Sequence, residues 1–235
     1  MKKILLAVFT AVSCLFIAAV ALCSEALSAP VFALTEPLCV VLDAGHGGID
    51  GGVVGKQTGV KESDLNLSIT MKLAAIFKDA GFETVLTRKT EAGLYGAATQ
   101  GFKKRDMQKR KEIIEGAKPA LMISVHQNFY PTGLSRGGQV FYRAGSESGK
   151  MLAEEIQNTF NTLYASVGVK ARNAMTGDYF MLNCTEYPSV IAECGFLSSS
   201  DEALLVSDEF QSKLAKAIFA GALKYLERIS AAVGA

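Results

Sequence analysis

The chain contains only two histidines, His46 and His126. Each closely follows a short apolar run that reads as a β-strand: Leu38–Leu42 before Asp43-Ala-Gly-His46-Gly-Gly, and Leu121–Val125 before His126-Gln-Asn. Ligands and catalytic groups collect at the carboxyl ends of strands in α/β sheets, so two imidazoles at such ends point to a metal site. Glycines around His46 let the backbone leave the strand sharply and approach an ion without side-chain obstruction. Sixteen residues beyond His46, Glu62 stands at the mouth of a helix. A carboxylate there suits the helix dipole, and beside two histidines it becomes a third ligand. Two imidazoles and one carboxylate leave the fourth tetrahedral position of zinc to water, as in hydrolytic rather than structural sites.

One further acid fits this chemistry. In Pro188-Ser-Val-Ile-Ala-Glu193 an apolar strand ends in a carboxylate, and burying such a charge costs free energy unless it is paired or used. We read Glu193 as the general base that takes a proton from the attacking water and passes it to a leaving nitrogen. The structural alternative is a salt bridge from Glu193 to Arg88 or Arg110.

The elements that must position these groups alternate along the chain. Strands are expected at 38–42, 82–87, 121–125, 138–142, 179–182 and 190–192. Helices are expected where Leu65, Ile69, Leu73, Ile76 and Phe77 recur at helical spacing, over 105–115, over 148–163, and around Leu214, Ile218, Leu226 and Ile229. Neither an internal repeat nor a linker interrupts them. The expectation is one α/β domain over residues 34–235, a mostly parallel twisted sheet of about six strands with helices on both faces.

Ahead of that domain, Lys2-Lys3, an apolar stretch from Ile4 to Cys23 and small residues up to Ala33 read as a signal peptide or a membrane anchor over residues 1–33. Either implies export to the cell envelope, with membrane association through this segment if it is retained. Removing it takes Lys2, Lys3 and Glu25 from a chain of 24 basic and 23 acidic residues, so the remainder is nearly neutral. No strong field argues for a nucleic-acid partner. Cys39, Cys184 and Cys194 are odd in number and sit in or beside apolar segments, which suits buried free thiols better than disulfides or a zinc-thiolate site. The basic run Lys103–Lys111 reads as a solvated helix face. Tyr130, Tyr179 and Phe180 fit either a glycan groove or the core, and receive no assignment.

Taken together, Asp43-Ala-Gly-His46-Gly-Gly, Glu62-Ser-Asp-Leu-Asn-Leu67, Thr87-Arg88, Ser124-Val-His126-Gln-Asn128 and Glu193-Cys-Gly-Phe-Leu-Ser198 resemble the zinc-dependent N-acetylmuramoyl-L-alanine amidases of the amidase 3 family. The resemblance covers residues 39–228. It implies His46, Glu62 and His126 as ligands of one zinc ion, Glu193 as the catalytic carboxylate, and peptidoglycan as the substrate, cut between the lactyl group of muramic acid and L-alanine. Two positions depart from the family pattern: Ser199 stands where Asn is usual, and Ile114-Glu115 where Ala-Asn is common. The loop from Glu91 to Lys104, the lack of an added wall-binding module and the lack of a plugging helical insert resemble the spore-cortex (CwlD-like) subgroup. That likeness implies a role in sporulation and germination, making muramic acid available for δ-lactam formation in the forespore intermembrane space, under control of a regulatory protein partner. The rival readings are an exported zinc-containing wall-binding scaffold without turnover, and a zinc peptidase cutting between amino acids of the wall.

Overall fold

The computed structural model describes residues 37–233; the expected signal or anchor segment lies outside them. Six strands, β1 (Cys39–Ala44), β2 (Glu83–Leu86), β3 (Leu121–Asn128), β4 (Gln139–Tyr142), β5 (Met175–Thr176) and β6 (Ser189–Phe196), form a single sheet in the order β2-β1-β3-β6-β4-β5. β2, β1, β3 and β6 run parallel, β4 is antiparallel to β6, and β5 is parallel to β4. The central strands are apolar on both faces because helices cover both. Val40, Leu42, Leu121, Ile123, Val125, Val190 and Ala192 belong to one core; Val41, Met122 and Ile191 alternate into a second.

The larger core lies under α1 (Glu62–Asp79), α3 (Glu147–Ala165) and α6 (Asp208–Val233). The smaller lies under α2 (Phe102–Ala117) and the single turn α4 (Phe180–Asn183). α1 stops at Ala80-Gly81, where Gly81 takes φ 87°, a conformation only glycine adopts freely. α2 is bounded by left-handed residues at both ends, Gly101 and Lys118.

Two elements differ from the sequence expectation. Residues 179–182 form no strand. Leu182 N donates to Tyr179 O at 3.0 Å and Cys184 N to Phe180 O at 2.9 Å, and exposure follows a turn, with Tyr179 and Phe180 outward and Met181 and Leu182 buried. A four-residue apolar run has no period to separate strand from helix. Instead, the edge strand β5 is Met175–Thr176. The short α5 (Asp201–Leu205), absent from the expectation, fills the connection to α6.

At the carboxyl end of β1, two guanidinium groups grip the chain. Arg110 on α2 is fully buried. It donates to Asp43 Oδ1 (2.5 Å), Asp106 Oδ2 (2.6 Å), Ala44 O (2.8 Å) and His46 O (2.6 Å). Arg88, just past β2, donates to Ala44 O (2.8 Å), Gly45 O (3.0 Å), Ser63 O (2.8 Å) and Thr90 O (2.9 Å). Asp43 also accepts from Thr87 Oγ1 (2.7 Å) and Ser124 Oγ (2.5 Å), which ties β2, β1, β3 and α2 at one carboxylate. Burial alone would raise the Asp43 pKa, but the Arg110 charge and the Ser124 and Thr87 hydroxyls outweigh it and hold it at about 2 against an ordinary 3.8.

A carboxyl held below its unfolded value stabilises the fold above that unfolded value, and the contribution fades as pH falls towards the folded one. Asp43→Asn is therefore expected to cost about 3 kcal/mol at pH 7, as removal of one partner of a buried ion pair does. The gap between wild type and variant should narrow as the pH is lowered from about 4 to about 2. Urea unfolding across that range checks this; a gap independent of pH would show that Asp43 is not the titrating anchor.

Candidate metal centre

His46, the last residue held by Arg110, adopts φ 62°, one of two non-glycine residues in the left-handed region among those described. That conformation turns its ring across the end of β1 towards β3. Gly45 makes room: a Cβ there would lie 2.2 Å from the His126 ring. The two imidazoles meet edge to face, with centroids 5.0 Å apart and planes at 75°.

Glu62, the first residue of α1, completes the group and is 3 % exposed. Its Oε2 accepts from Val53 N (3.0 Å), and its Oε1 from Gln127 N (3.1 Å) and Asn66 Nδ2 (3.3 Å). Oε1 lies 2.9 Å from His126 Nδ1 and 3.3 Å from His46 Nε2. Asn66, one turn along α1, also donates to Gly45 O and accepts from Gln127 Nε2, so α1, the β1 loop and β3 are cross-linked around the carboxylate. Behind His46, Asp50 Oδ2 lies 3.1 Å from Nδ1, and a carboxylate behind a ligating histidine fixes its ring and raises its basicity.

One ligand atom from each of His46, Glu62 and His126 falls within a 4.8 Å span. Burial would raise the Glu62 pKa, but the two imidazoles hold it well below the usual carboxylate range. Reciprocally, burial opposes protonation of His46 and His126 while Glu62 favours it, lifting His46 to about 9 and raising His126. The donor set, nitrogen, nitrogen and carboxylate oxygen converging from three elements, fits a catalytic zinc site with an open position.

Glu193 pairs with His126 in the β3–β6 register. Its Oε2 is enclosed and has no hydrogen-bond partner among the described residues. Burial pushes its pKa up to about 7, against the lowering charge of His126 and with the repulsion of Glu62 added. The alternative salt bridge is not formed: Arg110 is taken by Asp43 and Asp106, and Arg88 by backbone carbonyls. A cavity of about 210 Å³ opens beside the histidines and is walled by Tyr179, Phe180, Lys103 and Asp50 among others.

The sequence reading missed Asp50, Asn66, Gln127, Asp106 and Arg110 as supports. For the last two a signal existed, an Asp–Arg pair at i,i+4 inside the basic run. That run is solvated at Lys103, Lys104, Arg105 and Lys109, but Asp106 and Arg110 point inward. Tyr179 and Phe180 border the cavity instead of filling the core, while Tyr130 is exposed elsewhere. Cys39, Cys184 and Cys194 are free thiols as expected, but only Cys194 is buried; Cys39 and Cys184 are partly exposed. Of the family departures, Ile114 fills the smaller core, Glu115 lies 3.5 Å from Lys111 on the exposed face, and Ser199 Oγ donates to Phe196 O. None touches the three ligands.

Residues 40–224 match the family described as N-acetylmuramoyl-L-alanine amidase (Amidase_3). The chain is 32 % identical over 190 residues to the germination-specific N-acetylmuramoyl-L-alanine amidase of Bacillus subtilis, covering 79 % of this chain and 78 % of that one. Among solved structures it is similar to the CwlD amidase from Clostridioides difficile in complex with the GerS lipoprotein, with TM-score 0.76 and 34 % identity, covering 81 % of this chain and 98 % of the other. An N-acetylmuramoyl-L-alanine amidase from Clostridium difficile 630 superposes with TM-score 0.71 at 27 % identity, covering 82 % and 98 %. Fold, motif order and these likenesses agree, and the chain belongs to the N-acetylmuramoyl-L-alanine amidase family.

Proposed function

We propose that the protein is a zinc-dependent amidase that hydrolyses the bond between N-acetylmuramic acid and L-alanine in peptidoglycan. The observation that carries this reading is the convergence of His46, Glu62 and His126 within 4.8 Å, beside an enclosed Glu193 oxygen without a partner. His46 Nε2, Glu62 and His126 Nδ1 would hold the ion, which supplies Lewis acidity to the reacting groups when bound.

The chain's own residues do the rest. Glu193 takes a proton from the attacking water, holds it in a site where burial favours the neutral acid, and delivers it to the departing L-alanine nitrogen. Asp50 fixes the His46 ring from behind. Arg88 and Arg110 keep the His46 loop in its left-handed turn. The open cavity takes the peptide that carries the leaving amine.

The physiological setting is part of the same proposal. The likeness to a germination-specific relative and the Glu91–Lys104 loop support a role in spore-cortex maturation, ahead of δ-lactam formation. The N-terminal segment supports export to the cell envelope, and among the described residues no helix is long and apolar enough to cross a membrane. The similar CwlD amidase was solved with a lipoprotein, which supports a regulatory protein partner here.

Zinc-loaded protein is expected to release peptides with free L-alanine amino termini from muropeptides, with loss on chelation and return on adding zinc. Intact muropeptides after incubation would remove the reading; cleavage between amino acids, seen by mass spectrometry, would make the protein a peptidase. Glu193→Gln should lower turnover by about 10²–10⁴-fold while keeping bound zinc, and unchanged turnover would return Glu193 to a structural role. His46→Ala, Glu62→Ala and His126→Ala should each lose zinc and activity but keep the far-ultraviolet circular dichroism of wild type, because the two apolar cores form without the ion. Cys39→Ser, Cys184→Ser and Cys194→Ser should retain zinc by metal analysis; loss in any of them would mean that the ligand set is misassigned.

A further inference from the structure

The lining of the cavity beside the histidines includes the aromatic and apolar side chains of Tyr95, Phe102, Met107, Tyr179, Phe180 and Met181. Its basic residues outside the histidine pair are Lys103 and Arg110. Arg110 is consumed by internal partners, with Asp43 and Asp106 as its counter-ions. Lys103, in the first turn of α2, differs. Its side chain is 68 % exposed and its Nζ lies 3.6 Å from Asp50 Oδ1, beyond hydrogen-bond distance. The three N–H donors of the ammonium are therefore available to a ligand. Lys104 and Lys109 of the same helix line a different hollow, with Leu94 and Gln108.

Of the acidic groups nearby, Asp50 is the one within ion-pair distance of this charge. Asp43 and Asp106 face Arg110, and Asp50 is divided between Lys103 and His46 Nδ1. An anion on the cavity side of Lys103 meets a cation beside aromatic and apolar side chains and forms a partly exposed ion pair. The path from His46 through Asp50 to the ammonium is short, equivalent to about three extended residues of peptide. The proposed reaction places the departing peptide amine at the histidines, so the peptide runs from there along the cavity.

We propose that Lys103 is a specificity-determining residue that reads a free carboxylate on the stem peptide, within about three residues of the cleaved amide. The inference rests on the amidase reading and adds to it a substrate preference, for acidic over amidated stems.

The test uses the zinc-loaded full chain and two muropeptide substrates that differ only in whether the carboxyl of the second stem residue outside the main chain is free or amidated. Wild type should favour the free acid by about fivefold in kcat/KM, the scale of a partly exposed ion pair, with the difference in KM. Lys103→Met should bring that ratio to near one, Lys103→Arg should keep it, and Lys103→Glu should invert it. Zinc content and circular dichroism confirm that each variant is folded. Equal cleavage of both substrates by wild type, or a ratio unchanged in Lys103→Met, would overturn the assignment of Lys103 and leave the amidase reading intact. Cleavage of neither substrate by wild type would remove both.

Discussion

The constraint on which the site depends is the satisfaction of three consecutive carbonyls, Ala44, Gly45 and His46, where the chain leaves β1. Buried backbone oxygens require partners, and here no neighbouring strand is in register to supply them all. Arg88 and Arg110 do so from opposite sides. Guanidinium is suited to this because its donors are fixed in a plane and it stays charged when buried. The arrangement forces His46 out of the strand at a positive φ, and thereby decides where the first imidazole points.

Two buried cations need anions, which explains why Asp43 is enclosed although it is no metal ligand. Asp43 and Asp106 balance the pair of arginines, and the Thr87 and Ser124 hydroxyls complete the Asp43 coordination. This cluster spans β2, β1, β3 and α2, so the sheet edge, the helix over the smaller core and the His46 loop are positioned by one network. Such a network is costly to leave half-satisfied, which is why its members are fixed as a set.

Around the candidate metal ligands the same logic recurs at lower charge. Glu62 is placed by the start of α1 and aligned by Val53 N, Gln127 N and Asn66. Asn66 also grips the carbonyl of Gly45, linking this carboxylate to the arginine-held loop. Among the described residues, Glu193 Oε2 is the one carboxylate oxygen that is enclosed and bound by nothing in the protein. An enclosed, unpaired carboxyl oxygen in a fold that otherwise pairs its charges is a pattern found more often at functional sites than at stabilising ones.

Residue types and spacing mark His46, Glu62, His126 and Glu193 as candidates, because strand-end histidines, a helix-opening acid and an acid ending an apolar strand are local signals, and the structure brings the first three within 4.8 Å. The mostly parallel character of the sheet was also legible, since apolar runs alternating with helical periods imply strand–helix–strand units; the strand order was not. What only the tertiary structure decided was partnership. Arg110 looked like one more lysine-run cation until packing turned it inward onto Asp43, and Phe180 looked like strand until its neighbours closed a helical turn. Neither outcome is encoded within a few residues alone: Asp106, four positions away, supplies one counter-ion to Arg110, but the second is an aspartate 67 positions away that the fold brings beside it, and Phe180 is left exposed where it borders the cavity.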